Sequence, residues 1–172
     1  MVIRRVTQRQ FLLRPDEATN DVYLYALAYC ANEQQMRVTG FVAMSNHEHV
    51  CLEDPEGHVV EFYTLLHSLV ARAMNLERNR FENFWSTEHT TLVRLVEPVD
   101  VLSAIGYTEA NPVKANLVKF AKDWPGATSA GRHGGMKDGV VHIRVKKPKR
   151  FFSDDMPDEL TLTIHKPRQF AA

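Results

Sequence analysis

The stretch from Met36 to Leu52 constrains the fold of this chain more than any other, because its pattern predicts a β-hairpin. Arg37 to Ala43 is a β-rich run, and Ser45-Asn46 supplies residue types that favour a turn. His47 to Leu52 is then predicted to be the returning strand. The segment therefore predicts two neighbouring antiparallel strands.

Helical patterns flank the predicted hairpin. Pro15-Asp16-Glu17 opens a first helix with acidic residues in its first turn, and helical spacing continues to about Gln35. Apolar residues between Val59 and Ala73 form the stripe of a second helix. Short strands are predicted at Val2–Thr7 and Thr91–Val96. This order predicts an α+β fold, with an antiparallel sheet and helices packed on it.

A third helix is predicted from Pro98, and it reaches Tyr107. A proline disfavours helical geometry in the residue before it, so we expect this helix to end or kink at Asn111. A new short helix, Val113 to Phe120, is expected with Pro112 at its first position. Asn111 could then be the N-cap of that helix, a metal ligand, or both.

The composition is that of a soluble globular domain. Apolar residues make up 44% of the 172 residues and charged residues 24%. No charged segment precedes an apolar stretch at the start and no long apolar run follows, so we expect a cytoplasmic protein with no membrane partner. The 21 basic and 21 acidic residues balance, so any nucleic-acid contact must rest on local patches. Cys30 and Cys51 are expected to be reduced core thiols.

Two histidines on the predicted returning strand form a candidate metal site. His47 and His49 are separated by one residue, so on a strand they project to the same face. Two imidazoles there can bind one metal ion, although two histidines can equally be surface or core residues. Tyr107 and Asn111 are four residues apart and share one face of a helix. If that helix lies opposite the strand, Asn111 completes a site for Mg²⁺ or Mn²⁺ beside the Tyr107 hydroxyl.

These residues resemble a known family. Asn46-His47-Glu48-His49 resembles the histidine–hydrophobic–histidine motif of the HUH endonuclease superfamily, and Tyr107 to Val118 looks like the tyrosine-to-Asn-Pro-Val block of its single-tyrosine transposases. The group it resembles most is the REP-associated tyrosine transposases. The resemblance runs from about Ile3 to Ser129, and it implies a ferredoxin-like HUH endonuclease core.

The resemblance implies cleavage and rejoining of single-stranded DNA. Tyr107 would be the nucleophile that forms a 5′-phosphotyrosine, and His47, His49 and Asn111 would bind a divalent metal, Mg²⁺ or Mn²⁺. The DNA would contain a hairpin, and the protein would be a monomer or a homodimer. The expected DNA contacts are Arg4, Arg5, Arg9, Trp85 and Lys114.

Residues 1–129 would form the HUH transposase domain, and residues 130–172 a basic, Gly/Pro-rich C-terminal extension. Its glycines leave compact structure there open, and the basic run from Arg144 to Arg150 is either a solvated tail or a second DNA contact.

Two alternatives stay open. The first is a DNA- or RNA-binding protein that keeps this fold but has lost cutting. The complete set of His47, His49, Tyr107 and Asn111 argues against it, but Glu48 leaves it open. The superfamily usually has an apolar residue between the histidines, and an acidic one requires a wet or paired environment on the opposite face. The second is a zinc hydrolase built on the two histidines, although no acidic third ligand lies near the motif.

Overall fold

The predicted hairpin lies near the middle of a six-stranded sheet in the order β4-β1-β3-β2-β6-β5. The computed structural model describes residues 1–151 and 155–170. The strands are β1 (Val2–Arg5), β2 (Arg37–Met44), β3 (His47–Glu53), β4 (Thr91–Leu92), β5 (Val140–Lys146) and β6 (Glu159–His165). The helices are α1 (Glu17–Glu33), α2 (Val59–Glu77) and α3 (Pro98–Lys114). The predicted α+β class is therefore confirmed.

The sheet is mixed rather than purely antiparallel. β1 pairs antiparallel with β3, so that Val2 lies opposite Val50 and Arg5 opposite His47. β6 runs parallel to β2, in a pair that matches Val38 with Ile164, and the remaining strand pairs are antiparallel.

The helices are divided between the two faces of the sheet. α1 and α2 pack together on one face, and α3 covers β2 and β3 on the other. Strand alternation sends Val50 into the α1/α2 core and Cys51 against α3, where it is a buried free thiol, as expected. The α1/α2 core is built from large, fully buried side chains, among them Leu27, Phe41, Phe62, Leu66, Leu162 and Ile164.

Gly40 lets α3 lie close to the sheet. A Cβ atom at Gly40 would lie 3.2 Å from Cγ2 of Ile105, a residue of α3. The register of β2 also shifts between Val38 and Gly40, which bends the strand beneath the helix. The missing side chain and the bulge together allow the short distance between α3 and the sheet.

The start of α1 is fixed by a side-chain cap that also joins α1 to α2. The Asp16 carboxylate accepts a hydrogen bond from the Thr19 N–H at 2.8 Å, and Arg78 donates to its other oxygen at 2.7 Å. Burial raises the pKa of Asp16, but the hydrogen bonds from Thr19 and Arg78 outweigh it, so the pKa is lowered. The helix predicted to open at Pro15-Asp16-Glu17 is present and begins at Glu17, so Asp16 is its N-cap rather than a first-turn residue.

α3 does not break at Pro112. It continues to Lys114, and its end is marked by Asn116, whose φ of 56° is left-handed. The predicted helix from Val113 to Phe120 is therefore wrong, and Asn111 is a helix-interior residue rather than an N-cap. The reason is tertiary packing, because Asn111 and Pro112 are both buried and Pro112 removes a single backbone donor. The predicted strand at Thr91–Val96 is also shorter, ending at Leu92.

The C-terminal part adds a hairpin to the sheet. β5 and β6 pair from Val140 with His165 to Lys146 with Glu159, and their inward side chains join the α1/α2 core. The division of the chain after residue 129 stays a prediction. Much of the basic run is used within the fold, since Lys147 pairs with Asp158 at 3.1 Å and Arg150 with Glu77 at 2.8 Å.

Candidate active site

A cleft of about 330 Å³ opens where β1, the β2–β3 turn and α3 meet. The side chains around it come from four separate segments of the chain, which only the folded structure brings together. They are Ile3, Arg5, Arg9, Asn46, His47, His49 and Tyr107.

The two histidines lie side by side on the α3 face of β3. Their ring centroids are 5.1 Å apart, with the planes at 75°. Nδ1 of His47 lies 2.7 Å from Oδ1 of Asn46. Because an amide oxygen only accepts, His47 donates from Nδ1, which leaves its Nε2 lone pair free for a ligand. His49 is almost fully buried, and its Nδ1 atom has no hydrogen-bond partner.

Both imidazoles are neutral at neutral pH. Burial lowers the pKa of His49 to about 4, and repulsion from His47, when that ring is protonated, and from Arg5 lowers it further. Burial also lowers the pKa of His47, and Arg5 acts in the same direction, whereas the nearby Asn111 amide and the charge of Glu48 raise it. Neutral imidazole is the form that binds a metal ion.

α3 places Tyr107 and Asn111 against the histidines. The Tyr107 ring lies 5.7 Å from the His49 ring, centroid to centroid, in an edge-on arrangement, and 45% of the residue is exposed. Asn111 is 9% exposed, and its Nδ2 donates to the Tyr107 carbonyl oxygen at 3.1 Å. This bond leaves Oδ1 of Asn111 available as a ligand atom.

The donor set fits a divalent cation such as Mg²⁺ or Mn²⁺. It offers two neutral imidazoles, one with an orphaned buried nitrogen, and one amide oxygen. Across residues 1–151 and 155–170 no group of three or more His, Cys, Asp or Glu side chains is arranged to hold a metal ion. Next to the two histidines, the Oδ1 atom of Asn111 is a side-chain oxygen of the kind that Mg²⁺ and Mn²⁺ accept as a ligand.

Glu48 lies on the opposite face of β3, fully buried beneath the histidines. Its Oε1 is 2.5 Å from Nε2 of His67, whose ring packs against Trp85 at 5.0 Å and Tyr63 at 5.8 Å. Burial, followed by the charge of Glu48, raises the pKa of Tyr23 on the same side of the sheet. The acidic residue between the histidines is therefore paired. His67 is buried as this partner.

The predicted arginine contacts divide between the two faces of β1. Arg5 and Arg9 are exposed and line the cleft. Arg4 points to the other face, where its guanidinium donates to the Ser86 and Glu88 carbonyls at 2.8 and 2.7 Å. Strand alternation separates Arg4 from Arg5, so the predicted DNA contact at Arg4 does not fit its position.

Trp85 and Lys114 also occupy different environments from one another. Trp85 is 8% exposed, and its indole N–H donates to the His67 carbonyl at 2.7 Å, so it is a core residue and its predicted DNA contact does not fit. Lys114 is exposed, with its Nζ 4.0 Å from the centroid of the Tyr107 ring. The roles of Asn46 and His67 were not predicted from the sequence. The signal for His67 was the acidic residue between the two histidines, which requires a partner when it is buried.

Comparisons with known proteins show what fold this arrangement belongs to. No protein-family model and no curated protein sequence matches the chain. A solved structure of a REP-associated tyrosine transposase bound to a REP hairpin is similar, with a TM-score of 0.60 and 16% identity over 78% of this chain and 77% of that one. The fold implied by the resemblance is confirmed. Within the described residues, no helix combines the length and apolar content needed to cross a membrane.

Proposed function

We propose that this protein is a metal-dependent tyrosine transposase, a single-strand DNA endonuclease and strand transferase that cuts at hairpin-associated sites. The observation that supports it is that Tyr107, His47 and His49 line one cleft together with Arg9. Asn111 is buried beside His47 on the same face of the sheet. The similar structure is of a protein bound to a hairpin, which supports the same class of DNA partner.

The chemistry follows from the exposed phenol. Tyr107 Oη attacks a DNA phosphorus, the new O–P bond forms, the P–O3′ bond breaks, and the phenolic proton passes to water. The leaving 3′ oxygen takes up a proton, which gives a free 3′-hydroxyl and a 5′-phosphotyrosine. Attack by another 3′-hydroxyl reverses the step, joins two strands and returns Tyr107 without nucleotide hydrolysis.

The surrounding residues hold the phosphate and the cation. Arg5 and Arg9 present two positive charges at the cleft, where they can hold phosphate oxygens by charge-assisted hydrogen bonds. His47, His49 and Asn111 would bind the Mg²⁺ or Mn²⁺ ion, which when bound supplies Lewis-acid polarisation of the phosphate. A monomeric or homodimeric state and a cytoplasmic location stay predictions.

The test is formation of a covalent adduct. The protein is incubated with Mn²⁺ and a single strand that contains a hairpin, and the products are separated by denaturing electrophoresis. The wild type should yield a protein–DNA adduct and a free 3′ end, Tyr107→Phe should yield none, and His47→Ala should lose cleavage while retaining most DNA binding. Persistence of the adduct in Tyr107→Phe would contradict the assignment of the nucleophile.

The same experiment separates the alternatives. Hairpin binding without any adduct would identify a binding protein that keeps the fold and has lost cutting. Tight stoichiometric zinc without DNA nicking would instead favour a hydrolase, although no carboxylate from the described residues joins the two histidines as a third ligand.

A further inference from the structure

Lys114 covers one face of the nucleophile. It follows Tyr107 by seven residues, two helical turns along the same side of α3, and its Nζ lies 4.0 Å from the ring centroid. Within the described residues, no carboxylate lies within 4.0 Å of the Lys114 ammonium. Its charge is therefore directed to the ring rather than to an acidic partner.

The Tyr107 ring has few other restraints. Nearly half of the residue is exposed, so core packing does not fix its orientation as it does for the fully buried Tyr23. Its ring contacts the edge-on His49 ring and the ammonium of Lys114. An in-line attack requires the phenol to be held in one direction, and freedom of the ring lowers the rate.

We propose that Lys114 is a positioning residue for the nucleophile: it holds the Tyr107 ring against His49 through a cation–π contact. This inference rests on the proposed function, and it replaces the expectation that Lys114 serves only as a DNA contact. A lysine that binds a DNA phosphate changes affinity, whereas one that orients the nucleophile changes the rate of the chemical step once DNA is bound.

The chain contains a matched control. Lys119 is also exposed, and its Nζ lies 5.3 Å from the ring centroid of Phe120, a ring that takes no part in the proposed reaction. Lys114→Met and Lys119→Met each remove one charge and one cation–π contact. Lys114→Arg keeps the positive charge on a planar guanidinium that can stack on the ring, so it should retain the function of Lys114.

Two measurements test the proposal. DNA affinity is measured by fluorescence anisotropy, and the rate of adduct formation is measured in single-turnover reactions at saturating hairpin DNA. Lys114→Met should lower the saturating rate by about two- to fivefold, the size expected for an exposed cation–π contact. Lys119→Met should leave that rate unchanged, and Lys114→Arg should recover most of it. A saturating rate in Lys114→Met equal to that of Lys119→Met would overturn the proposal.

A measurement without DNA separates this inference from the proposed function. Nuclear Overhauser contacts from the Tyr107 ring to His49 and to the Lys114 side chain should be present in the wild type. Lys114→Met should weaken the contact to His49, and Lys114→Arg should restore it. If the wild type forms no adduct, the proposed function fails, while these contacts still report whether Lys114 positions the ring. An unchanged His49 contact in Lys114→Met contradicts the positioning role.

Discussion

Replacing His67 with leucine should destabilise the protein strongly, because it leaves the Glu48 carboxylate buried without its partner. Glu48 is fully buried and bonded to His67 at 2.5 Å, and the His67 side chain is only 9% exposed. Removing one member of a buried ion pair typically costs about 3–5 kcal/mol. Leucine keeps much of the side-chain volume beside Trp85, so the loss should come from the charge rather than from a cavity.

The assay is thermal and urea unfolding of three variants. For a domain of this size, a loss of about 3–5 kcal/mol lowers Tm by roughly 6–20 °C. The double variant Glu48→Leu/His67→Leu removes both partners and should recover most of the stability, because apolar replacements of a buried pair are often neutral. Glu48→Leu alone is the other single variant that a double-mutant cycle requires, and the cycle gives the coupling free energy between the two residues. A His67→Leu protein that loses less than about 1 kcal/mol would refute the view that Glu48 is a buried charge held by His67.

Further predictions concern a helix cap, a surface pair and the cleft. Asp16→Ala should cost about 1 kcal/mol by removing the cap of α1 and the contact with Arg78, measured by urea unfolding. Because the folded pKa of Asp16 is lowered, its contribution is present above the unfolded value and should disappear as the pH falls through the folded value. The opposite sign applies to His133, whose pKa is raised mainly by a hydrogen bond from its ring to Glu109 at 2.6 Å. Its contribution is present below the unfolded value of about 6.5 and should vanish as the pH rises through the folded value, so the stability of His133→Gln should approach that of the wild type at pH 8. Arg9→Gln should weaken single-strand binding and reduce, by about 0.7, the slope of the logarithm of the binding constant against the logarithm of the salt concentration. An unchanged slope would show that Arg9 does not contact a DNA phosphate.

Local patterns were sufficient for the elements that form the sheet centre and its first helices. The hairpin around Ser45-Asn46 and the helix that opens near Pro15-Asp16-Glu17 follow from turn and helix-start patterns over a few neighbouring residues, and both were predicted. Strand alternation also predicted that His47 and His49 share a face. The same rule, applied to β1, would have separated Arg4 from Arg5.

The remaining features depend on tertiary contacts that no local pattern specifies. Pro112 normally ends a helix, yet burial of its neighbours keeps α3 continuous through it. Trp85 looked like an exposed stacking residue because its partner, His67, lies on another element. The strands of the C-terminal hairpin were not predicted, because the glycines that precede them left compact structure there open. Val141, Ile143 and Val145 nevertheless alternate as a strand requires.

The continuity of α3 through Pro112 has a mechanical consequence. Tyr107, Asn111 and Lys114 belong to one continuous helix, so the spacing between their backbone positions stays constant when the helix moves. The backbone positions of the three residues change relative to the histidines only when the whole helix moves over the sheet, which it approaches closely at Gly40. A covalent crosslink between α3 and β2 would therefore act on all three side chains at once, as a single adjustment of the distance between nucleophile and histidines.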